Sequence, residues 1–202
     1  MKRLKEPVAF RFRERGSVFL TELHPATDGA ARTAILAAIR KRDHDATHHC
    51  SAWREGLPVT AFGSDDDGES SRTAGAPMLK ILEGLELTDV LAVCVRWYGG
   101  TKLGTGGLVR AYTEGVLGAI AEGERLGLFE EVRVLVSGSI EVSAEMAHLP
   151  FSVLSAFKNA EILGRDFYSG LSKINFRLPL EDRLPFEDAW RERSRGGAVE
   201  WQ

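Results

Sequence analysis

Glycines and basic side chains occur together in one segment of the chain, residues 96–112, which reads RWYGGTKLGTGGLVRAY. Glycine lacks a Cβ and accepts positive φ, so its backbone N–H groups can turn toward a ligand. Such N–H groups bind phosphate and other anions, above all at the start of a helix and beside a cation. The segment therefore predicts an anion site. Its candidate residues are Arg96, Gly99, Gly100, Lys102, Gly104, Gly106, Gly107 and Arg110.

This glycine segment matches neither of the two common phosphate-binding motifs. A Walker A motif requires Gly-Lys-Ser or Gly-Lys-Thr, and the Gly-Thr-Gly-Gly stretch at residues 104–107 lacks the final spacing of Gly-x-Gly-x-x-Gly. A tight connection between a strand and a helix would explain two or three of the glycines by positive φ alone. Five glycines together with Lys102 and Arg110 favour contact with an anion.

A threonine and two histidines precede the glycine segment at residues 47–49. Adjacent residues of a strand point to opposite faces, so His48 and His49 cannot both bind one metal ion without distortion. A zinc site would need further ligands, and no Cys-x-x-Cys or His-x-x-Glu-His pattern supplies them. No metal site is predicted here. We expect Thr47, His48 and His49 to line one groove with the glycine segment.

An acidic segment, residues 64–71, reads SDDDGESS and carries Asp65, Asp67 and Glu69. It does not follow the spacing of an EF-hand calcium loop. Three interpretations remain open: a solvated acidic turn, a loop that shapes the edge of the groove, and a carboxylate site that binds Mg²⁺ through water. The third would suit an enzyme acting on a phosphorylated or other anionic small molecule, with His48 as acid or base.

A strand and a helix must hold the glycine segment in place. Val90–Trp97 is continuously apolar up to Arg96 and predicts a strand. Residues 108–126 keep the apolar period of a helix and predict one that starts just after the glycines. Helices are also predicted at residues 28–42 and from Pro77, and strands at residues 8–21 and 46–53.

The pattern restarts after residues 127–131, where a domain boundary is expected. Beyond it the order is strand, helix, strand, strand, helix, strand, which is typical of a ferredoxin-like domain. The fold class is therefore α+β, with a first domain at residues 1–128 and a ferredoxin-like βαββαβ domain at residues 129–202. The strands of this second domain are predicted at residues 132–142, 161–168, 171–178 and 198–201, and its helices at residues 150–158 and 185–193.

Bulk composition limits the classes of function. The 202 residues carry a net charge of −3, so binding to nucleic acid would depend on local basic patches. The two cysteines imply no disulfide framework, and the chain shows neither a signal peptide nor an apolar stretch of membrane-spanning length. We therefore expect a cytoplasmic protein that does not associate with a membrane.

Four motifs taken together resemble the YigZ/IMPACT family. They are Asp-Ala-Thr-His-His-Cys at residues 45–50, Ser-Asp-Asp-Asp-Gly-Glu-Ser at 64–70, Thr-Ala-Gly-Ala-Pro at 73–77 and the whole glycine segment. The resemblance covers most of residues 1–127. It implies that the first domain has the left-handed βαβ topology of ribosomal protein S5 domain 2. It also implies that the second domain is similar to the ferredoxin-type C-terminal module of the translocating elongation factor.

The resemblance also implies a function, because both modules occur in proteins that contact RNA or the ribosome. Eukaryotic members are linked to control of translation initiation, and no enzymatic activity is attached to the family. We therefore expect a non-enzymatic protein without a cofactor that binds RNA or a ribosome-associated factor through the glycine segment, with a role in translation regulation. A protein-interaction module, with Trp97 and Tyr98 as exposed anchors, is a further alternative. The oligomeric state stays open.

Overall fold

A computed structural model describes residues 1–202. The chain forms two compact units, Met1–Val132 and Arg133–Gln202. Each unit combines strands with helices, and the protein has five α-helices and three sheets in all, which is a mixed α+β architecture. None of the helices combines the length and the apolar character that crossing a membrane requires.

The first unit contains eight strands and three helices. In chain order they are β1 (Lys2–Leu4), β2 (Val8–Glu14), β3 (Ser17–Pro25), α1 (Gly29–Arg42), β4 (His48–Glu55), β5 (Ala61–Asp65), α2 (Gly75–Gly84), β6 (Leu87–Thr88), β7 (Val90–Trp97), α3 (Gly104–Arg125) and β8 (Phe129–Glu131). Strand β7 and helix α1 lie where the apolar patterns predict them. The sequence does not predict the short strands β1, β5, β6 and β8. Strands of two to five residues are too short to show a clear hydrophobic period.

The main sheet of the first unit has the strand order β2-β3-β7-β4-β5, and every neighbouring pair is antiparallel. Helices α2 and α3 pack on one face through residues such as Met78 and Tyr112. Helix α1 packs on the other face through Ile35 and Ile39. Strand β7 lies at the centre and is covered on both faces, which is why its sequence is continuously apolar.

Helix α3 begins at Gly104, one turn before the predicted start at Leu108. Gly104, Thr105 and Gly106 are exposed and contribute no apolar side chain, so the apolar period becomes visible only at Leu108. With 22 residues the helix is about 33 Å long. Gly106 and Gly107 therefore belong to the helical first turn, and Gly104 leads into it with a φ of +70°.

A second sheet in the first unit has the strand order β6-β1-β8. Strand β1 pairs in parallel with β6 and antiparallel with β8. Strand β8 pairs with the N-terminal strand β1, so residues 129–131 belong to the first unit. The domain boundary was expected earlier, between residues 128 and 129. Pairing between segments so far apart in the chain leaves no local signature in the sequence.

The second unit contains four strands and two helices. They are β9 (Leu135–Ser143), α4 (Leu149–Leu154), β10 (Glu161–Tyr168), β11 (Leu171–Pro179), α5 (Arg183–Ser194) and β12 (Glu200–Trp201). The order of strands and helices along the chain is the predicted one. Their sheet has the order β10-β11-β9-β12 and is antiparallel throughout. Phe176, Phe186 and Trp190 lie in a core of this unit's own residues.

Candidate functional site

The glycine segment begins in the last two residues of β7, passes through an exposed connection and ends in the first turns of α3. Tyr98–Lys102 is exposed, and Leu103 is half-buried. Gly104 has a φ of +70°, a left-handed conformation that side chains rarely adopt. A Cβ at Gly104 would meet no atom within 4 Å, so conformation rather than space favours glycine at this position.

The first turn of α3 has no side-chain cap. Leu103 occupies the N-cap position without a side-chain hydrogen bond, and the turn contains no acidic residue. The N–H groups of Gly104, Thr105 and Gly106 precede the first intrahelical hydrogen bonds, so no carbonyl of the helix accepts from them. Together with the helix dipole, these exposed N–H groups form a partially positive surface that suits an anion.

Two backbones approach each other closely at the start of the glycine segment. Gly99 lies against Gly16 in the turn between β2 and β3, and a Cβ at Gly99 would come within 1.9 Å of the carbonyl carbon of Gly16. The Gly99 N–H donates to Ser17 Oγ at 3.1 Å. Any larger residue at position 99 would force the backbones apart. The turn and the glycine segment therefore form one continuous surface.

Two of the predicted cations, Lys102 and Arg110, are exposed and take part in no ion pair. Arg110 lines a small cavity of about 130 Å³ together with Arg15 of the β2–β3 turn. Arg15 is not among the sequence-based candidates, because only the folded chain brings that turn beside α3. The other residues that line the cavity are Glu14, Leu103, Gly107, Ala111 and Glu114.

Arg96 is buried, in contrast to its expected role as an anion ligand. Its exposed fraction is 4%, and it shares the α3-facing side of β7 with Cys94. Its guanidinium forms an ion pair with the Glu69 carboxylate and donates to Ser17 Oγ at 3.3 Å. Because Glu69 already neutralises this charge, Arg96 is not available to a phosphate in solution.

Glu69 is the centre of a buried polar cluster. It accepts from the Tyr112 hydroxyl at 2.8 Å, and His48 Nε2 lies 3.8 Å from the same carboxylate. Cys50 Sγ in turn donates to the Tyr112 hydroxyl at 3.3 Å. Burial raises the pKa of Cys50 and of Tyr112, so both groups stay protonated. Tyr112 falls on the apolar face of α3, which hides its polar role from sequence reasoning.

The two adjacent histidines have different surroundings, since neighbouring residues of a strand point to opposite faces. His48 is half-buried, and its Nδ1 lies 2.8 Å from the carbonyl oxygen of Asp67. His49 is only 6% exposed, and its Nε2 has no hydrogen-bond partner. Burial lowers the pKa of His49, and the positive charge of Arg40 acts in the same direction. His49 therefore does not line a groove as expected, because its ring is enclosed.

Asp65 and Asp67 are bound to neighbouring parts of the chain. The Asp65 carboxylate accepts the N–H of Asp67 at 2.8 Å. Asp67 forms an ion pair with Arg40 of α1 at 2.6 Å and accepts the N–H of His49 at 2.6 Å. Burial acts to raise the pKa of Asp67, but these two hydrogen bonds outweigh it and the pKa is lowered. No group of three His, Cys, Asp or Glu side chains is arranged to share a metal ion.

Asp66 caps the start of α2, a role that no motif in the sequence indicates. Its carboxylate accepts the backbone N–H groups of Arg72 at 2.6 Å, Ala74 at 3.1 Å and Gly75 at 2.8 Å. With these donors satisfied, α2 begins at Gly75, before its predicted start at Pro77. Asp66 precedes Ala74 by eight residues, so this cap lacks the usual sequence signature of an N-cap.

Thr47, which directly precedes β4, contacts the glycine segment through both its side chain and its backbone. It is exposed, and its Oγ accepts the N–H of Tyr98 at 3.0 Å. Its own N–H donates to the carbonyl oxygen of Arg96 at 2.8 Å. Thr47 therefore holds the backbone in place where β7 ends and the exposed residues begin.

Comparison with known proteins extends this description. A family model described as the Impact N-terminal domain matches residues 15–120 of the chain. The chain belongs to the IMPACT family. The matched range runs through all of the exposed surface described above, from Arg15 to Arg110, and it ends before the second unit begins.

Several known proteins are similar to this IMPACT family chain. IMPACT family member YigZ of Escherichia coli strain K12 is 47% identical over 109 residues, which cover 52% of this chain and 53% of YigZ. An IMPACT family member encoded in the pol 5' region of Thermus thermophilus is 36% identical over 155 residues, covering 70% of this chain and 83% of that protein. A crystal structure of a hypothetical protein is 30% identical with a TM-score of 0.61, covering 99% of this chain and 95% of that chain. The chain spans about half the length of the first curated relatives that it matches.

Proposed function

We propose that this IMPACT family protein binds RNA through a surface that we name the glycine surface. It consists of the segment from Gly99 to Gly107, including Lys102, together with Arg110 and Arg15. One observation supports the proposal most strongly: the uncapped, exposed first turn of α3 lies beside Lys102 and Arg110, which have no ion-pair partner, whereas Arg15 is paired with Glu14 at 3.7 Å. Backbone N–H groups and cations of this kind contact phosphate oxygens, which gives affinity without reading the base sequence.

The unpaired cations beside the first turn of α3 support the first unit as an RNA-binding part. With a net charge of −3, attraction to a polyanion depends on a local group of cations that the protein itself does not neutralise. Lys102 and Arg110 meet this condition. On the sheet of the second unit, Lys173 is paired with Glu200 at 3.3 Å and Arg177 with Glu161 at 2.6 Å, while Arg165 has no ion pair and lies over the Phe167 ring. Cations that are already paired contribute less to phosphate binding.

The proposal extends to the fold and the biological role of both units. We assign the first unit to the ribosomal protein S5 domain 2-like fold and the second to the ferredoxin-like fold, which the order β10-β11-β9-β12 supports. Both folds occur in proteins that contact RNA or the ribosome. We further propose a non-enzymatic role in translation regulation in the cytoplasm. The free thiols of Cys50 and Cys94 fit a reducing compartment.

Removing both free cations tests the glycine surface. The double variant Lys102→Ala/Arg110→Ala should bind a fluorescein-labelled single-stranded RNA at least about tenfold more weakly at low salt. Each phosphate contact contributes about −0.7 to the slope of log K against log salt for single strands, so the slope should shrink by about 1.4. Fluorescence anisotropy at a series of KCl concentrations measures both quantities.

The matched control for this experiment is Lys5→Ala/Lys80→Ala, which removes two exposed lysines without ion pairs from other parts of the first unit. This variant has the same change in net charge and should keep nearly the wild-type affinity and slope. Equal losses in the two double variants would show that the attraction is general and not local. Wild-type protein that binds no RNA at low salt would reject the proposed function.

A further inference from the structure

One exposed aromatic ring lies at the start of the glycine surface. Tyr98 directly follows β7, and 46% of its surface is exposed. The preceding residue, Trp97, is half-buried, packs in the core under α1 and donates its Nε1–H to Asp45 at 3.1 Å. Tyr98 is therefore the aromatic side chain that this part of the chain presents to solvent.

Two contacts hold Tyr98 in place. The guanidinium carbon of Arg96 lies 5.5 Å from the centre of the Tyr98 ring, and Arg96 is itself fixed by its ion pair with Glu69. The backbone is held as well, because the Tyr98 N–H donates to Thr47 Oγ at 3.0 Å. A ring that is held before binding loses little conformational freedom when a ligand covers it.

We propose that Tyr98 is a stacking platform for an unpaired nucleobase, so that the RNA bound at the glycine surface is single-stranded. This inference rests on the proposed function. Every nucleobase has a flat face that stacks on an aromatic ring, but in a duplex the neighbouring bases cover that face. One RNA strand would then place a base on Tyr98 and its neighbouring phosphates at Lys102 and the first turn of α3.

The proposal assigns separate roles to neighbouring residues. Tyr98 contributes affinity that does not depend on salt, whereas Lys102 and Arg110 contribute the salt-dependent part. Arg96 acts on the ligand only through Tyr98 and is a positioning residue. The preference for single strands over duplexes therefore depends on the aromatic ring and not on the cations.

The test compares a single-stranded oligouridylate with a blunt RNA duplex of the same length. The wild-type protein should bind the single strand more tightly, and Tyr98→Ala should lose about tenfold in single-strand affinity while its salt slope stays unchanged. Tyr98→Phe keeps the ring and should bind like the wild type. Tyr98→Leu keeps a shorter apolar side chain without an aromatic face and should lose as much as Tyr98→Ala. Phe62→Ala removes a more exposed ring, 63% exposed, elsewhere in the first unit and should have no effect.

The outcomes separate this inference from the proposed function. If Tyr98→Ala and Tyr98→Leu bind the single strand like the wild type while Lys102→Ala/Arg110→Ala is weakened, stacking is rejected and phosphate binding stands. Equal wild-type affinity for the duplex and the single strand would also reject stacking. Wild-type protein that binds neither RNA rejects both proposals. Thermal unfolding followed by circular dichroism shows that each variant is folded before binding is compared.

Discussion

Arg96 and Arg110 lie in the same glycine-rich segment, yet the folded chain gives them opposite surroundings. Arg96 points from β7 toward α3 and meets the Glu69 carboxylate, and both side chains are almost fully buried. Arg110 lies on the exposed side of α3 and has no ion pair. A buried ion pair cannot lose one member without leaving the other charge unpaired in a poorly solvated place. Arg96 is therefore a structural residue, and Arg110 is free for a ligand.

The burial of the Arg96–Glu69 pair gives a stability prediction. Arg96→Met leaves the Glu69 carboxylate buried without its cation and should lower the free energy of unfolding of the first unit by about 3 kcal/mol. Urea denaturation measures the change. The exposed pair Arg125–Glu122 is the matched control, since Arg125→Met should leave the midpoint unchanged. The double variant Arg96→Met/Glu69→Met removes both charges and should recover part of the loss; a loss as large as that of the single variant would contradict this account.

At the scale of secondary structure, several loops of the first unit are held by single side chains that replace missing backbone partners. The acidic segment illustrates this, because Asp66 accepts three N–H groups at the start of α2 and Asp65 accepts only the N–H of Asp67. The glycine segment is held in the same way by Ser17 and Thr47. The first turn of α3 differs, since no side chain satisfies its N–H groups. This difference distinguishes a structural helix start from one that remains open to a ligand.

The capping role of Asp66 can be tested directly. Asp66→Ala removes the acceptor from three backbone N–H groups and should destabilise the first unit by about 1–2 kcal/mol. Amide hydrogen exchange measured by NMR should become faster at Arg72, Ala74 and Gly75. Asp65→Ala is the control, because its carboxylate accepts a single N–H in an exposed turn and should leave those three amides protected. Unchanged protection in Asp66→Ala would show that α2 does not need this cap.

At the scale of the whole molecule, each unit has a core of its own residues. A single free energy of unfolding therefore need not describe both units, and stability is best followed by probes in one unit at a time. In the first unit, the enclosed ring of His49 links stability to pH. Because its pKa is lowered in the folded state, the unfolded chain takes up a proton at a higher pH than the folded chain does.

The sign of this pH dependence follows from the lowered pKa. The contribution of neutral His49 to stability is complete above its unfolded pKa of 6.5 and is lost as the pH falls from 6.5 toward the lower folded value. Amide exchange in β7, corrected for intrinsic rates, should show lower stability of the wild type at about pH 5.5 than at about pH 7.5. His49→Gln does not titrate and should show a smaller difference. An equal difference in both proteins would assign the effect to other groups.

Much of the fold could be predicted from the sequence, because the relevant signals are local. Strand β7 is buried on both faces and is therefore a continuous apolar run, and α1 carries an apolar stripe on the face that packs on the sheet. Helix α3 was predicted without its first turn, since glycines show no apolar period. Strands β1 and β8 were not predicted, because they pair with each other from opposite ends of the first unit.

The sequence by itself determined the family, the order of the main helices and strands, and the place of the glycine segment between a strand and a helix. Only the tertiary structure decided which charged residues are free. Arg96 and Glu69 are 27 residues apart, as are Arg40 and Asp67, and no local pattern distinguishes these paired side chains from the unpaired Lys102 and Arg110. The physical reason is that neutralisation of a charge depends on which distant residue the fold brings within a few ångströms of it, and on how completely both are removed from water.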